Sequence, residues 1–259
     1  MGAVYYALRT DGRDPVALKI LKPDILERNP NYATLFEREV RAVQRLAHPH
    51  IVKVLDSGTA DDISFMVMEW LNGETLDKLL SHGPLLPLEK VINIAAQLCD
   101  AVAYAHRNNI IHLDIKPGNI FLLEGPGRAD HVKVIDFGMA RILSSETGTT
   151  VTRFLGTYQY CSPEHFGGKV SFRSDIYSLG ATLYHMIAGI IPFGASYVNA
   201  KAYPHLELPP VPSLLNMRPD LPKNIDVVIQ KALSKNPSGR QESVTQLFDE
   251  FSKACHKDD

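Results

Sequence analysis

Residues 2–8 and 16–21 are short, largely apolar and aromatic runs that read as two strands, and Thr10-Asp11-Gly12-Arg13-Asp14-Pro15 supplies the turn between them. From about residue 32 to 47 the period becomes helical, with Phe36, Val40, Val43 and Leu46 in one apolar stripe. Glu39 falls inside that stripe, whereas Glu37, Arg41 and Arg45 lie on the opposite face. A carboxylate on a buried face needs a partner, so the pattern singles out Glu39. Two more strands are expected over 51–57 and 64–69, and Leu71-Asn72-Gly73 breaks the run. Beyond it the periodicity predicts helices over 74–80, 87–108, 174–188, 225–234 and 244–256, with a proline-rich irregular stretch over 204–222. The coarse expectation is an α+β chain. A small β-rich lobe with one helix (about 1–70) meets a larger, mainly α-helical lobe (about 74–259) at a hinge near 69–73. Clefts between lobes are favoured ligand sites.

Composition narrows the picture by exclusion. Hydrophobic residues at 45% and charged residues at 22% describe an ordinary globular protein. A formal net charge of −2 offers no electrostatic basis for binding nucleic acid or an anionic membrane. Cys99, Cys161 and Cys255 lie far apart with no C-x-x-C pair, which argues against zinc or a disulfide framework and suits a reducing cytoplasm. The first residues lack the basic and apolar regions of a signal peptide, and Tyr6 stands where a myristoylation motif needs Ser or Thr. The most apolar stretch, 176–193, contains His185 and Pro192 and reads as a buried helix, so no membrane segment is expected.

Candidate chemistry is concentrated on two loops. The chain runs His112-Leu113-Asp114-Ile115-Lys116-Pro117-Gly118-Asn119 and, after a hairpin's length, Asp136-Phe137-Gly138. Each part has an ordinary reading: Asp and Asn are common in polar loops, and a lone lysine such as Lys19 on a strand is usually a solvated charge. Lys19 ends the run Val16-Ala17-Leu18-Lys19, however, and an inward Glu39 gives it a partner.

In that order, these motifs resemble those of protein kinases, and the resemblance extends over essentially the whole chain. It implies a kinase-like bilobal fold and an ATP- and Mg²⁺-dependent transfer to protein hydroxyls, with Mn²⁺ as a possible substitute. It puts Asp114 as the base, Lys116 at the γ-phosphate, Asn119 and Asp136 on the metal, and Lys19, oriented by Glu39, on the α- and β-phosphates. Met68 takes the gatekeeper position, the backbones of Glu69 and Leu71 meet the purine edge, and Val4, Ala17 and Phe121 sandwich the ring. Gly2 is left from the far end of a glycine-rich loop. Ser162-Pro163-Glu164 resembles the end of an activation segment, with Arg240 as partner of Glu164 and Asp175 supporting the catalytic loop. Lys116 and Gly156-Thr157 resemble the serine/threonine branch, in which Thr157 hydrogen-bonds the catalytic loop. Gly73-Glu74-Thr75-Leu76 and Gly2-Ala3-Val4-Tyr5 are similar to bacterial members. The implied partners are proteins bearing Ser or Thr acceptors; nothing in the chain specifies oligomeric state.

Two departures qualify the resemblance. The first strand and earlier glycines of the family's loop are not in this sequence, which predicts weaker nucleotide capture and an exposed edge strand. Leu113 replaces the arginine that, in many members, pairs with a phosphorylated activation-loop residue. Ser144, Ser145, Thr147, Thr149, Thr150 and Thr152 are available in that loop, but control through position 113 is not expected. The alternative function is a pseudokinase or interaction module. A small-molecule kinase of similar fold fits less well, because residues 157–164 retain the segment that serves peptide acceptors.

Overall fold

Four strands of alternating side chains form one antiparallel sheet: β1 (Ala3–Leu8), β2 (Pro15–Ile20), β3 (Val54–Ala60) and β4 (Ile63–Glu69), in the order β1-β2-β4-β3. The computed structural model describes residues 3–10, 12, 14–21, 31–61, 63–125, 130–137, 140–142, 158–193 and 209–256. Strand β1 is an edge of this sheet, as the sequence leads one to expect, with Val4 opposite Lys19 and Tyr6 opposite Ala17. Directly opposed residues share a face, so Val4, Tyr6, Ala17 and Lys19 project to the same side.

Helix α1 (Asn31–Gln44) packs Phe36 with Leu21 and Met66 in a small core, while Val43 and Leu46 join the main one. The expected helix runs to residue 47, but its last turn tightens. Arg45 and Leu46 donate to Ala42 and Val43, three residues back, and His48-Pro49 stops the chain there. The following residues are not yet strand. Val134 donates to His50 at 2.8 Å and Val52 donates back to Val134 at 3.0 Å, stitching the end of α1 onto the other lobe. This is why β3 begins at Val54 and not at residue 51.

A second difference falls at the hinge. In place of a helix from residue 74, the chain makes a short strand, β5 (Gly73–Thr75). The remaining strands are β6 (Ile110–Ile111), β7 (Ile120–Leu123), β8 (His131–Val134) and β9 (Arg141–Ile142), paired as β5-β7-β8 and β6-β9. Gly73 has φ +146°, and a Cβ there would run into the carbonyl oxygen of Leu122, so only glycine permits the β5–β7 approach. Helix α2 (Leu76–His82) then starts from Thr75, whose hydroxyl accepts from the Lys78 amide. The pairing partner is nearly fifty residues away, which local periodicity does not reveal.

The larger lobe is built from α3 (Leu88–Arg107), α4 (Phe172–Ala188), α5 (Lys223–Ala232) and α6 (Val244–Cys255). Helix α4 is buried almost all round, with Ile176, Tyr177, Leu179 and Tyr184 in the main core, which is where a helix apolar on every face belongs. Among the described residues no helix is long and apolar enough to cross a membrane.

One ion pair ties the turn at residues 163–167, ahead of α4, to the segment before α6. The Arg240 guanidinium meets Glu164 in a two-point contact, Nη1–Oε1 2.7 Å and Nη2–Oε2 2.8 Å, and lies 4.9 Å from the centre of the Tyr177 ring. Burial pushes the Glu164 carboxyl up, but the Arg240 bonds and the Ser174 hydroxyl outweigh it and hold the pKa below its ordinary 4.5. A depressed carboxylate stabilises the fold above its unfolded pKa and loses that contribution as pH falls through the folded one. Glu164→Gln should therefore cost about 3 kcal/mol at neutral pH, by leaving a buried guanidinium unpaired, or roughly 6–10 °C in Tm. In thermal melts against pH, the gap to the unsubstituted protein should close below the carboxylate range; a gap constant with pH would contradict this origin.

Candidate active site

Lys19 reaches from β2 to the Glu39 carboxylate on α1, with Nζ 2.6 and 2.7 Å from its two oxygens. The same Nζ lies 3.2 Å from Oδ1 of Asp136. Both members of the main pair are withdrawn from water, Lys19 being 7% and Glu39 2% exposed. Burial works against the Lys19 ammonium, but Glu39 and Asp136 outweigh it and raise its pKa. Burial also lifts the Glu39 carboxyl, to about 7, against the pull of Lys19. Taken singly, the first shift favours an ionised pair and the second a neutral one. Two carboxylate oxygens within 2.7 Å of one nitrogen decide for an ammonium donating to a carboxylate.

The second constellation sits on the loop between β6 and β7. The Lys116 ammonium contacts both Asp114 oxygens at 2.9 and 2.8 Å, and Asn119 Nδ2 donates to the Asp114 side chain and backbone carbonyl, each at 2.8 Å. Committing its nitrogen to Asp114 turns the oxygen of the Asn119 amide the other way. His112 accepts from the Asp114 amide through Nδ1 and packs on Phe137 with ring centres 4.4 Å apart. Burial lowers its pKa, so it is a neutral spacer and not a charge.

This loop is held in an unfavourable backbone shape. Leu113 has φ +65°, in the left-handed region that L residues seldom occupy, a branched apolar side chain least of all; Asp136, on the loop after β8, has φ +61°. Asp175 on α4 stabilises it from below, accepting from the His112 and Leu113 amides at 2.8 Å each and lying 2.7 Å from His106 Nε2. Burial pushes this fully buried carboxyl up, but His106 and the amide donors outweigh it and the pKa is lowered. In Asp175→Asn one amide acceptor is replaced by a donor facing a donor. We expect phosphoryl transfer to fall about 10²-fold through misplacement of the loop, with ATP affinity, read by calorimetry, changed less than about threefold. Equal losses in both would contradict a purely positional role.

A cavity of about 600 Å³ lies between the lobes. Val4 and Ala17 form its roof, Lys19, Glu39, Asn119 and Asp136 its inner end, Met68, Glu69 and Leu71 its hinge side, and Phe121 its floor. Asp114 and Lys116 join it through Asn119. Gly2 and Thr157, together with 143–156 and its hydroxyl residues, lie outside the described residues.

Reading the sequence did not assign six residues that line this cavity, Val52, Trp70, Asn72, Gly73, Gly118 and Ile135, nor a further residue that fixes its hinge. Lys133 on β8 is buried and lies 2.6 Å from Glu69 Oε1, which also accepts from the Lys53 amide at 2.8 Å. A lysine within the apolar run His131-Val132-Lys133-Val134 was the available signal. Around the inner end, the two ammoniums of Lys19 and Lys116 face the three carboxylates of Glu39, Asp114 and Asp136. That balance, with hard oxygen donors from Asn119 and Asp136 on one wall, fits a divalent hard cation that completes its shell with water and phosphate oxygens.

The chain belongs to the protein kinase domain family, whose model matches residues 1–251. It is 39% identical over 245 residues to the serine/threonine-protein kinase PrkC of Bacillus subtilis, a match covering 94% of this chain and 37% of that protein. It is also 39% identical over 241 residues to the serine/threonine-protein kinase PknB of Mycolicibacterium smegmatis, covering 90% of this chain and 37% of that protein. The chain thus spans little more than a third of the length of these relatives. Its fold superposes on a crystal structure of a double mutant of the PknI kinase domain from Mycobacterium tuberculosis with TM-score 0.78 and 27% identity, covering 99% of this chain and 91% of that one. The bilobal fold and the bacterial serine/threonine kinase kinship expected from the motifs are both met.

Proposed function

We propose that the chain is one kinase domain that transfers the γ-phosphoryl group of ATP to serine or threonine hydroxyls of proteins. The observation carrying this reading is that the Lys19–Glu39–Asp136 and Asp114–Lys116–Asn119 clusters are joined at one end of an interlobe cavity with an apolar roof and floor. The pseudokinase alternative rests on the missing first strand; that every charged and amide group of these two clusters is present favours transfer.

In the reaction, the purine lies between Val4 and Ala17 above and Phe121 below, with Met68 behind it and the backbones of Glu69 and Leu71 along its edge. Lys19, fixed by Glu39, meets the α- and β-phosphates. Asn119 and Asp136 would hold Mg²⁺, which would supply neutralisation of phosphate charge there, and Mn²⁺ suits the same donors. Asp114 orients the acceptor hydroxyl and takes its proton as the oxygen bonds to the γ-phosphorus. The bond to the β–γ bridging oxygen breaks, and that oxygen leaves on ADP. Lys116, touching Asp114, lies where it balances the transferred charge. Thr157 is assigned to the acceptor side by resemblance alone. With Leu113 at its position, a phosphorylated loop residue finds no guanidinium there.

The test is transfer of label from γ-labelled ATP with Mg²⁺ to protein acceptors. Label should appear on Ser and Thr, vanish on chelation, and fall about 10²- to 10⁴-fold in Asp114→Asn. Transfer no greater than in Asp114→Asn would overturn the reading.

A further inference from the structure

Three imidazoles that the transfer chemistry does not use stand in a row where the base of α1 meets β8. His48 and His50 follow α1, and His131 opens β8. The His50 ring lies 5.6 Å from that of His48 and 4.8 Å from that of His131, centre to centre, and all three residues are half-buried. Their hydrogen bonds fix where the neutral rings carry their protons. His50 Nδ1, 3.1 Å from the Val132 carbonyl, is the donor there, which leaves Nε2 to take a further proton. His48 Nδ1 accepts from the His50 amide at 3.2 Å, so its own proton sits on Nε2, 3.1 Å from Oδ2 of Asp100. A second proton on His48 would set a donor against the His50 amide.

The surroundings resist charge at His50. Burial pushes its pKa down from the ordinary 6.5; the Val132 carbonyl and the Asp100 carboxylate of α3 pull it up, and His48 and the Lys133 ammonium of β8 push it further down, so the pKa is lowered. The Tyr104 ring of α3, with the Arg107 guanidinium over it, packs on His48, and Asp130, next to His131, is paired with Lys90 at 2.7 Å. A histidine of depressed pKa binds fewer protons folded than unfolded, so its packing is intact above the ordinary value and loses stability as pH falls below it. The same segment is the joint between the lobes. Val134 donates to the His50 carbonyl at 2.8 Å, Val52 returns the bond at 3.0 Å, and Lys133 Nζ lies 3.3 Å from the Ile51 carbonyl. Glu39 stands on one side of this joint and Asp136 on the other.

We infer that His48, His50 and His131 form a proton-operated joint. In acid the charged imidazoles repel one another and Lys133, the stitch between α1 and β8 loosens, and Glu39 loses its register against Asp136, so transfer declines. The effect on transfer rests on the kinase reading above; the loosening of the joint does not.

His50→Asn keeps a side-chain donor near the Nδ1 position without a titrating group, and His131→Asn removes the facing imidazole. By hydrogen exchange on the full chain, the protection factors of the Val52 and Val134 amides should fall about tenfold from about pH 7.5 to about pH 5.5, and much less in either variant. Over the same range, kcat/KM of the unsubstituted chain divided by that of the double variant should fall about 3- to 10-fold, a ratio in which titration of the nucleotide cancels. A pH dependence of protection unchanged in both single variants, or a kcat/KM ratio constant with pH, would overturn the inference. If the chain transfers no phosphate at any pH, the kinase reading fails, and the protection factors alone decide whether the joint responds to protons.

Discussion

A single ammonium shared by two carboxylates from different parts of the chain is the constraint on which the rest of the site depends. Lys19 is buried, and a buried ammonium is costly unless its partners are close and fixed. Glu39 supplies two oxygens from α1 and Asp136 a third from the loop after β8. Sheet, helix and the loop after β8 must therefore be in register at once. The contact is made by the chain's own side chains, so folding itself meets the entropic cost of assembling the inner end of the cavity.

The lobes are coupled by more than this contact. The segment after α1 exchanges backbone hydrogen bonds with Val134, so the base of the helix carrying Glu39 is anchored to the strand that leads into Asp136. One residue before Val134, β8 also sends Lys133 to the hinge carboxylate of Glu69. On the other side, Asp175 holds the left-handed turn at Leu113 that aims Asp114. Backbone strain of this kind survives only where surrounding bonds over-determine it. Here they come from the most buried helix of the larger lobe.

Much of this was legible in the sequence because it is local. The stripe of Phe36, Val43 and Leu46 with Glu39 inside it fixes both a helix and an inward acid. Apolar runs mark α3 and α4, and two short apolar runs flanking a turn mark the first two strands. What escaped is what distance in sequence hides. Strand β5 exists only because Gly73 permits approach to β7, Ile51 bridges to Val134 in place of starting a strand, and Tyr6 meets Trp70 across sixty-odd residues. The partner that explains the burial of Lys133 lies on the hinge, 64 residues earlier in the chain. Positions 2 and 157 remain inferences from motif alone.

The most direct measurement is a double-mutant cycle on phosphoryl transfer with Lys19→Met, Glu39→Gln and the two combined. If the pair acts as one unit, each single change should cost nearly as much in kcat/KM as the double, leaving a coupling of about 1–3 kcal/mol. Losses that simply add would show that Lys19 and Glu39 work independently, and would contradict a site organised around their contact.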